Sequence, residues 1–324
     1  MTAAPESPAP PSTTVEAPAG ARRWRPSEKT VNRLALFALV ANIAIVASGG
    51  LVRLTGSGLG CPSWPDCTAG SVVPTRELSW HKYVEFGNRL FTYVVLAAAV
   101  GALVAVLRER PRRPRLRLWA WLVFLAVPAQ AVMGGVTVLT HLNPWAVAAH
   151  FVLSMLLVAA ATVLWWRTRL RPPEPSPVLH PLLVRLGWLT WLLTFAVFCV
   201  GTVVTGAGPH AGDPTAKRIA LKPGSVAQLH ADLVMLLVGT SFALAVAVTA
   251  VGAHRVIRRT TRLLLAALAA QTAVGFAQYF DKLPIGLVEL HLLGAALIAA
   301  ASTSVVLAMT PDPTRVAARQ ITSR

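Results

Sequence analysis

The stretches VAQLHADLVMLLVGTSFALAVAVTAVGA (residues 226–253) and PIGLVELHLLGAALIAAASTSVVLAM (residues 284–309) decide the fold. Neither shows the alternation of a half-buried strand, and each exceeds the roughly 20 residues that a helix needs to cross a hydrocarbon core of about 30 Å. Inside lipid only helices and closed barrels satisfy every backbone N–H and C=O, and unbroken apolar runs exclude the barrel. Six further segments of this kind lie near residues 31–52, 82–107, 116–140, 145–167, 182–206 and 262–280, which makes eight predicted spanning helices. The composition of the 324-residue chain agrees, with 55% hydrophobic and 13% charged residues and a mean hydropathy of +0.59. A soluble domain carries about 25% charged residues, so a conventional water-facing surface is excluded. Three cysteines are too few for a disulfide scaffold or a zinc finger.

The charges orient the helices. Of the 30 Lys and Arg residues, 22 fall on one side of the expected topology. They form clusters before the first helix, in the Arg108–Arg117 loop, around Arg167–Arg185, at Arg255, Arg258, Arg259 and Arg262, and in the C-terminal tail. Because basic loops stay in the cytoplasm, both termini are expected there, in a multi-pass protein of the cell membrane. The net charge of +17 then reflects orientation and contact with anionic membrane lipid, and no nucleic acid is expected as a partner. The Pro/Ala/Ser/Thr-rich start reads as a disordered cytoplasmic tail over residues 1–30.

Residues recur at nearly constant offset. Thr55-Gly56-Ser57-Gly58 returns as Thr205-Gly206-Ala207-Gly208, Ala129-Gln130 as Ala270-Gln271, and His150 as His291, each histidine a little beyond a proline that opens its helix. An even number of helices separates the copies, so both halves keep one orientation. The expected fold is therefore all-α, with eight transmembrane helices in two parallel-repeat four-helix bundles. The first bundle spans 31–170 and the second 182–309, joined by a cytoplasmic linker at 171–181 and followed by a cytoplasmic tail at 310–324. Bundle interiors of this type hold cofactors between facing helices.

A histidine within a bilayer is costly enough to be a functional candidate. His230 and His291 belong to one half at similar depth, and facing imidazoles on different helices suit the two axial bonds of a haem iron. The alternative is that each hydrogen-bonds between helices. In the first half His150 matches His291, but the position matching His230 is Asn88, a poor iron ligand, so one site is expected closed and the other open for chemistry. Glu85 lies three residues before Asn88 on the same helix face, either facing a polar cavity or paired with Arg89. His81 continues that stripe outward. Gln130 and Gln271 are expected to hydrogen-bond between helices, and Cys199 reads as a small buried residue.

Taken together, Gly50-Leu51-Val52-Arg53-Leu54-Thr55-Gly56-Ser57-Gly58-Leu59, Trp64-Pro65, Glu85-Phe86-Gly87-Asn88-Arg89 and Gly134-Gly135-Val136-Thr137-Val138-Leu139-Thr140 through Asn143-Pro144-Trp145 to His150 resemble the haem A synthase family. The resemblance spans roughly residues 30–310 and implies oxidation of a methyl group of haem O to the formyl group of haem A with oxygen from water. It implies haem b as cofactor between His230 and His291, His150 as axial ligand of the substrate haem, and Glu85 as the catalytic carboxylate. The family motif commonly reads Glu-x-x-His-Arg, whereas here Asn88 stands at the His position and joins Glu85 in the expected catalytic pair. The partners implied are the haem O substrate, haem O synthase, an electron acceptor and membrane lipid, with homo-oligomerisation open. The rivals are a non-catalytic b-type cytochrome that passes electrons between quinone and a partner, and a transporter.

Cys61 and Cys67 flank Pro-Ser-Trp-Pro-Asp in the first outward loop, where an oxidising exterior permits a disulfide. It serves either as a structural clip or as an exchanging thiol pair. Arg53, Lys82 and Arg89 sit near helix ends, where they either anchor anionic haem propionates or snorkel to lipid phosphate.

Overall fold

A computed structural model describes residues 25–74, 79–109, 112–169 and 179–310. The expected tails and linker fall almost wholly outside these residues. Eight helices form among them: α1 (Glu28–Leu54), α2 (His81–Arg108), α3 (Pro114–Leu139), α4 (Pro144–Arg167), α5 (Pro181–Ala207), α6 (Pro223–Ala250), α7 (Arg255–Phe280) and α8 (Ile285–Met309). All are long and apolar enough to cross a membrane, so the protein is a multi-pass membrane protein. At 24 to 28 residues and about 1.5 Å per residue, each covers the hydrocarbon core with a turn or more to spare.

The helix starts follow from local chemistry. Ser27 accepts a hydrogen bond from the Thr30 N–H at 3.2 Å, and Asn143 caps α4 through Trp145 N–H at 2.9 Å, with Pro144 in the first turn. His180 and His254 cap α5 and α7 through their ring Nδ1 atoms. The largest boundary correction concerns α7, which starts at Arg255 rather than near 262. Its first two turns are helical but cationic, and hydropathy does not register them.

α1 packs on α2, α2 on α3, α3 on α4 and α4 back on α1. α5, α6, α7 and α8 make a second closed ring in the same order, and α4–α8, α1–α8 and α4–α5 contacts join the two. The packed surfaces are rich in small residues, among them Ala35, Ala38, Ala98, Ala102, Ala161, Ala296 and Ala299. Close backbone approach of this kind is how helices associate without a hydrophobic driving force between them. Phe37, Leu125, Phe242 and Leu297 point outward, as lipid-facing residues do.

The α3–α4 and α7–α8 turns are alike in detail. His141–Leu142 and Lys282–Leu283 all take positive φ. Leu142 N–H donates to Thr137 C=O at 2.8 Å, and Leu283 N–H to Gln278 C=O at 2.7 Å.

Candidate functional site

The loop after α1 folds over one end of the first ring. Cys61 and Cys67 form the expected disulfide, with Cα atoms 4.4 Å apart, and both are fully buried. Glu85, 5% exposed, binds this loop: one carboxylate oxygen accepts from Cys61 N–H and the other from Arg89 Nη2 at 2.6 Å. Of the two expectations for Glu85, the ion pair with Arg89 is present. Arg89 Nη2 also donates to Cys61 C=O at 3.1 Å and Ser63 C=O at 3.0 Å, and Nη1 reaches Asp66 C=O at 3.1 Å. A single turn of α2 thus fastens the whole cysteine loop. His81 Nδ1 is hydrogen-bonded to Ser57 Oγ at 2.9 Å and its ring stacks on Trp80. Lys82 is buried, with Nζ 5.0 Å from the Tyr83 ring centroid.

Two consecutive glycines of α3 connect the loop to His150. A Cβ at Gly135 would overlap the Trp64 ring, whereas one at Gly134 would sit 3.6 Å from His150 Cε1. The loop indole therefore seats against α3 one residue away from the contact that faces the imidazole. Nδ1 of His150 is buried without a hydrogen-bond partner. Gln130 on α3 donates to the His150 backbone C=O at 3.4 Å, and Ser154 to the same oxygen at 2.8 Å. Asn88 Oδ1 accepts from Ser48 Oγ of α1 at 2.7 Å.

The second ring reproduces this arrangement around His291. Gln271 on α7 donates to the His291 backbone C=O at 2.8 Å, and a Cβ at Gly275 would sit 3.3 Å from His291 Cε1. The expected glutamine contacts between helices are thus both present. His230 on α6 lies against Gly201 of α5 and hydrogen-bonds the backbone at Val197; α6 and α8, which carry His230 and His291, stand diagonally across the second ring. Nδ1 of both is buried and unpartnered. An axial haem ligand needs a buried imidazole with one ring nitrogen left for the iron, the other being free to bond the protein, and small residues beside it to admit a flat ring. His150, His230 and His291 each keep an unpartnered buried ring nitrogen and each stand beside a glycine.

Other expected residues have different surroundings. Arg53 donates from Nε to His210 C=O at 2.6 Å and from Nη2 to Thr205 C=O at 3.0 Å, which ties the end of α1 to the last turn of α5 and the segment after it. Cys199 is exposed, a correction to its expected burial: it lies on the outward face of α5, where an apolar thiol is compatible with lipid. Glu289 was missed. Its Oε2 is buried and unpartnered and lies over Gly50 of α1 at the seam between the rings. The signal was available, since a lone carboxylate inside the last apolar run carries the same cost that singled out Glu85.

Fold and site together define a polytopic membrane protein with buried imidazoles between the helices of two adjoining rings and a disulfide-closed loop over one of them. The family model COX15-CtaA, described as cytochrome oxidase assembly protein, matches residues 32–84 and 76–303, and the chain belongs to that family. Among curated proteins, one named "Heme A synthase" from Geobacillus kaustophilus (strain HTA426) is 34% identical over 136 residues, 41% of this chain and 42% of that protein. A protein of the same name from Lysinibacillus sphaericus (strain C3-41) is 34% identical over 131 residues, 40% of this chain and 42% of that protein. Another from Chelativorans sp. (strain BNC1) is 31% identical over 155 residues, 45% of this chain and 42% of that protein. The chain spans about two fifths of the length of these relatives.

Proposed function

We propose that the protein is a haem A synthase, which oxidises a methyl group of haem O to the formyl group of haem A. The observation that carries this reading is the pair of dissimilar imidazole sites. The second ring carries two histidines, His230 on α6 and His291 on α8, while in the first ring His150 is accompanied by Asn88, at the position that matches His230, and not by a second histidine. The names of the curated relatives support the same reaction.

In this reading the first ring, residues 31–170, receives haem O, with His150 as axial ligand and Asn88 or water on the opposite face. Glu85 and Asn88 lie one turn apart on α2 beside the substrate. Each carboxylate oxygen of Glu85 accepts one hydrogen bond in the closed loop and has a second lone pair for a water. Glu85 then orients the water whose oxygen enters the product, and Arg89 holds the carboxylate in register. Arg53, Lys82 and Arg89 supply positive charge at the end of the ring where propionates would emerge. The second ring, residues 182–309, would hold haem b, with His230 and His291 as the residues that bind it. A haem b there would supply a reversible one-electron relay toward an external acceptor. Haem O synthase is the natural source of the substrate. The two rings are the two halves of a parallel repeat, as the matching α3–α4 and α7–α8 turns support. The distribution of basic residues supports both termini in the cytoplasm and the cysteine loop outside.

One observation favours a second reading. Both oxygens of Glu85 already bind Arg89 and the loop, as a purely structural carboxylate would, and a non-catalytic b-type cytochrome needs nothing more. Haem extraction and chromatography of membranes from cells that make haem O but no haem A separates the two. Haem A appearing with the wild-type chain and disappearing with Glu85→Ala supports the synthase. Haem A absent with the wild type overturns it, and full production by Glu85→Ala removes Glu85 from the chemistry.

A further inference from the structure

The first two turns of α7 carry Arg255, Arg258, Arg259 and Arg262, spaced so that all four share one helix face. With Leu263 and Ala266 they line an open groove of about 550 Å³. None of the four has a carboxylate partner among the described residues, where the ion pairs are Glu85–Arg89 and Glu109–Arg113. Arg259 is instead repelled by Arg169, whose guanidinium stacks on Trp165 and Trp166. Nε of Arg258 is buried with no hydrogen-bond partner. The start of a helix is already the positive end of its dipole, so cations there are unfavourable unless an anion joins them.

Orientation alone does not require this arrangement. At the start of α3, Arg113 pairs with Glu109 and donates to Arg167 C=O at 3.3 Å, while Arg117 donates to Leu107 C=O at 2.9 Å. The α3 cluster also holds buried unpartnered Nε atoms at Arg117 and Arg167, but it includes an ion pair and guanidinium–carbonyl bonds, whereas the four α7 arginines share one groove without a carboxylate among the described residues.

We propose that the α7 groove binds one anionic phospholipid, its phosphodiester among the four guanidinium groups and an acyl chain along Leu263 and Ala266. A phosphodiester accepts several guanidinium N–H groups at once and neutralises the cluster. The groove is amphiphilic in the matching order, with arginines at the helix start and exposed apolar side chains one turn deeper. This is a single built site, distinct from the diffuse attraction of the basic loops for the membrane surface, and it does not depend on the enzymatic reading.

The test is native mass spectrometry of the full-length protein released from bilayers of phosphatidylcholine doped with phosphatidylglycerol. Wild type is expected to retain one phosphatidylglycerol, and the Arg258→Gln/Arg259→Gln variant to bind it roughly thirtyfold more weakly. Arg33→Gln/Arg185→Gln, which removes the same charge from exposed positions at the same end of the bundle, is expected to bind like wild type. Unfolding temperature in pure phosphatidylcholine checks folding; if the first variant fails it, Arg255→Gln/Arg262→Gln at the exposed flanks takes its place, with the same weakening expected. Equal retention by the groove variant and wild type overturns the proposal, as does equal weakening in the Arg33/Arg185 control. Retention of phosphatidylcholine in place of phosphatidylglycerol, or displacement of the lipid by inorganic phosphate at equal concentration, overturns it too.

Discussion

Adding one methyl group at either of two adjacent glycines is expected to have opposite effects. At Gly135 a Cβ would lie 2.7 Å from Trp64 Cε2 and 2.9 Å from Cε3, with Cδ2 closer still, whereas at Gly134 the nearest atom is His150 Cε1 at an ordinary 3.6 Å. Glycine to alanine inside a helix gains about 0.5–1 kcal/mol, and forced overpacking costs about 1–3 kcal/mol. Gly134→Ala should therefore be neutral to slightly stabilising, and Gly135→Ala should loosen the cysteine loop by about 1–2 kcal/mol. Trp64 belongs to a loop closed by the Cys61–Cys67 disulfide and held through the Cys61, Ser63 and Asp66 carbonyls that Arg89 binds, so its backbone resists the shift that would relieve the clash. Maleimide labelling under mild reductant reads the result. Cys199 faces lipid and contributes the same low background in every variant, while buried Cys61 and Cys67 label only as the loop opens. Labelling of the loop cysteines should be roughly tenfold faster in Gly135→Ala and unchanged in Gly134→Ala. Equal rates for the two variants, or faster labelling in Gly134→Ala, would refute the wedge assigned to Trp64.

Arg89→Ala leaves a buried carboxylate unpaired and releases the loop carbonyls, so thermal unfolding should report a loss of about 3–5 kcal/mol; Glu85→Gln/Arg89→Ala together should lose less than Arg89→Ala alone. Arg53→Gln removes charged hydrogen bonds to Thr205 and His210 carbonyls, at about 1.5–3 kcal/mol each, and limited proteolysis should then cut preferentially in the α5–α6 loop. Gln271→Leu, which loses a 2.8 Å bond, should cost about 1 kcal/mol in chemical denaturation. Gln130→Leu, which loses a 3.4 Å bond, should cost less.

The eight helices were legible because lipid imposes one condition, an unbroken apolar run of spanning length, and each helix meets it. The buried histidines were legible because an imidazole inside such a run needs a reason, and the repeat supplied the comparison that set Asn88 against His230. The start of α7 at Arg255 was not legible, since helix formation there is decided by backbone continuity with the apolar turns that follow. Local sequence equally could not show where Arg53 ends up, because its carbonyl partners lie some 150 residues away. The same holds for Glu85, whose second partner is a backbone N–H in a loop folded back by its disulfide. The exposure of Cys199 follows from the rotation of α5 about its axis, which a helix apolar on every side does not reveal.

The central claim is that two chemically different imidazole sites coexist, and electron paramagnetic resonance of the purified ferric protein tests it most directly. The low-spin signal of bis-histidine haem should persist in His150→Ala and vanish in both His230→Ala and His291→Ala. Loss of that signal in His150→Ala, or its survival in either second-ring variant, would contradict the assignment.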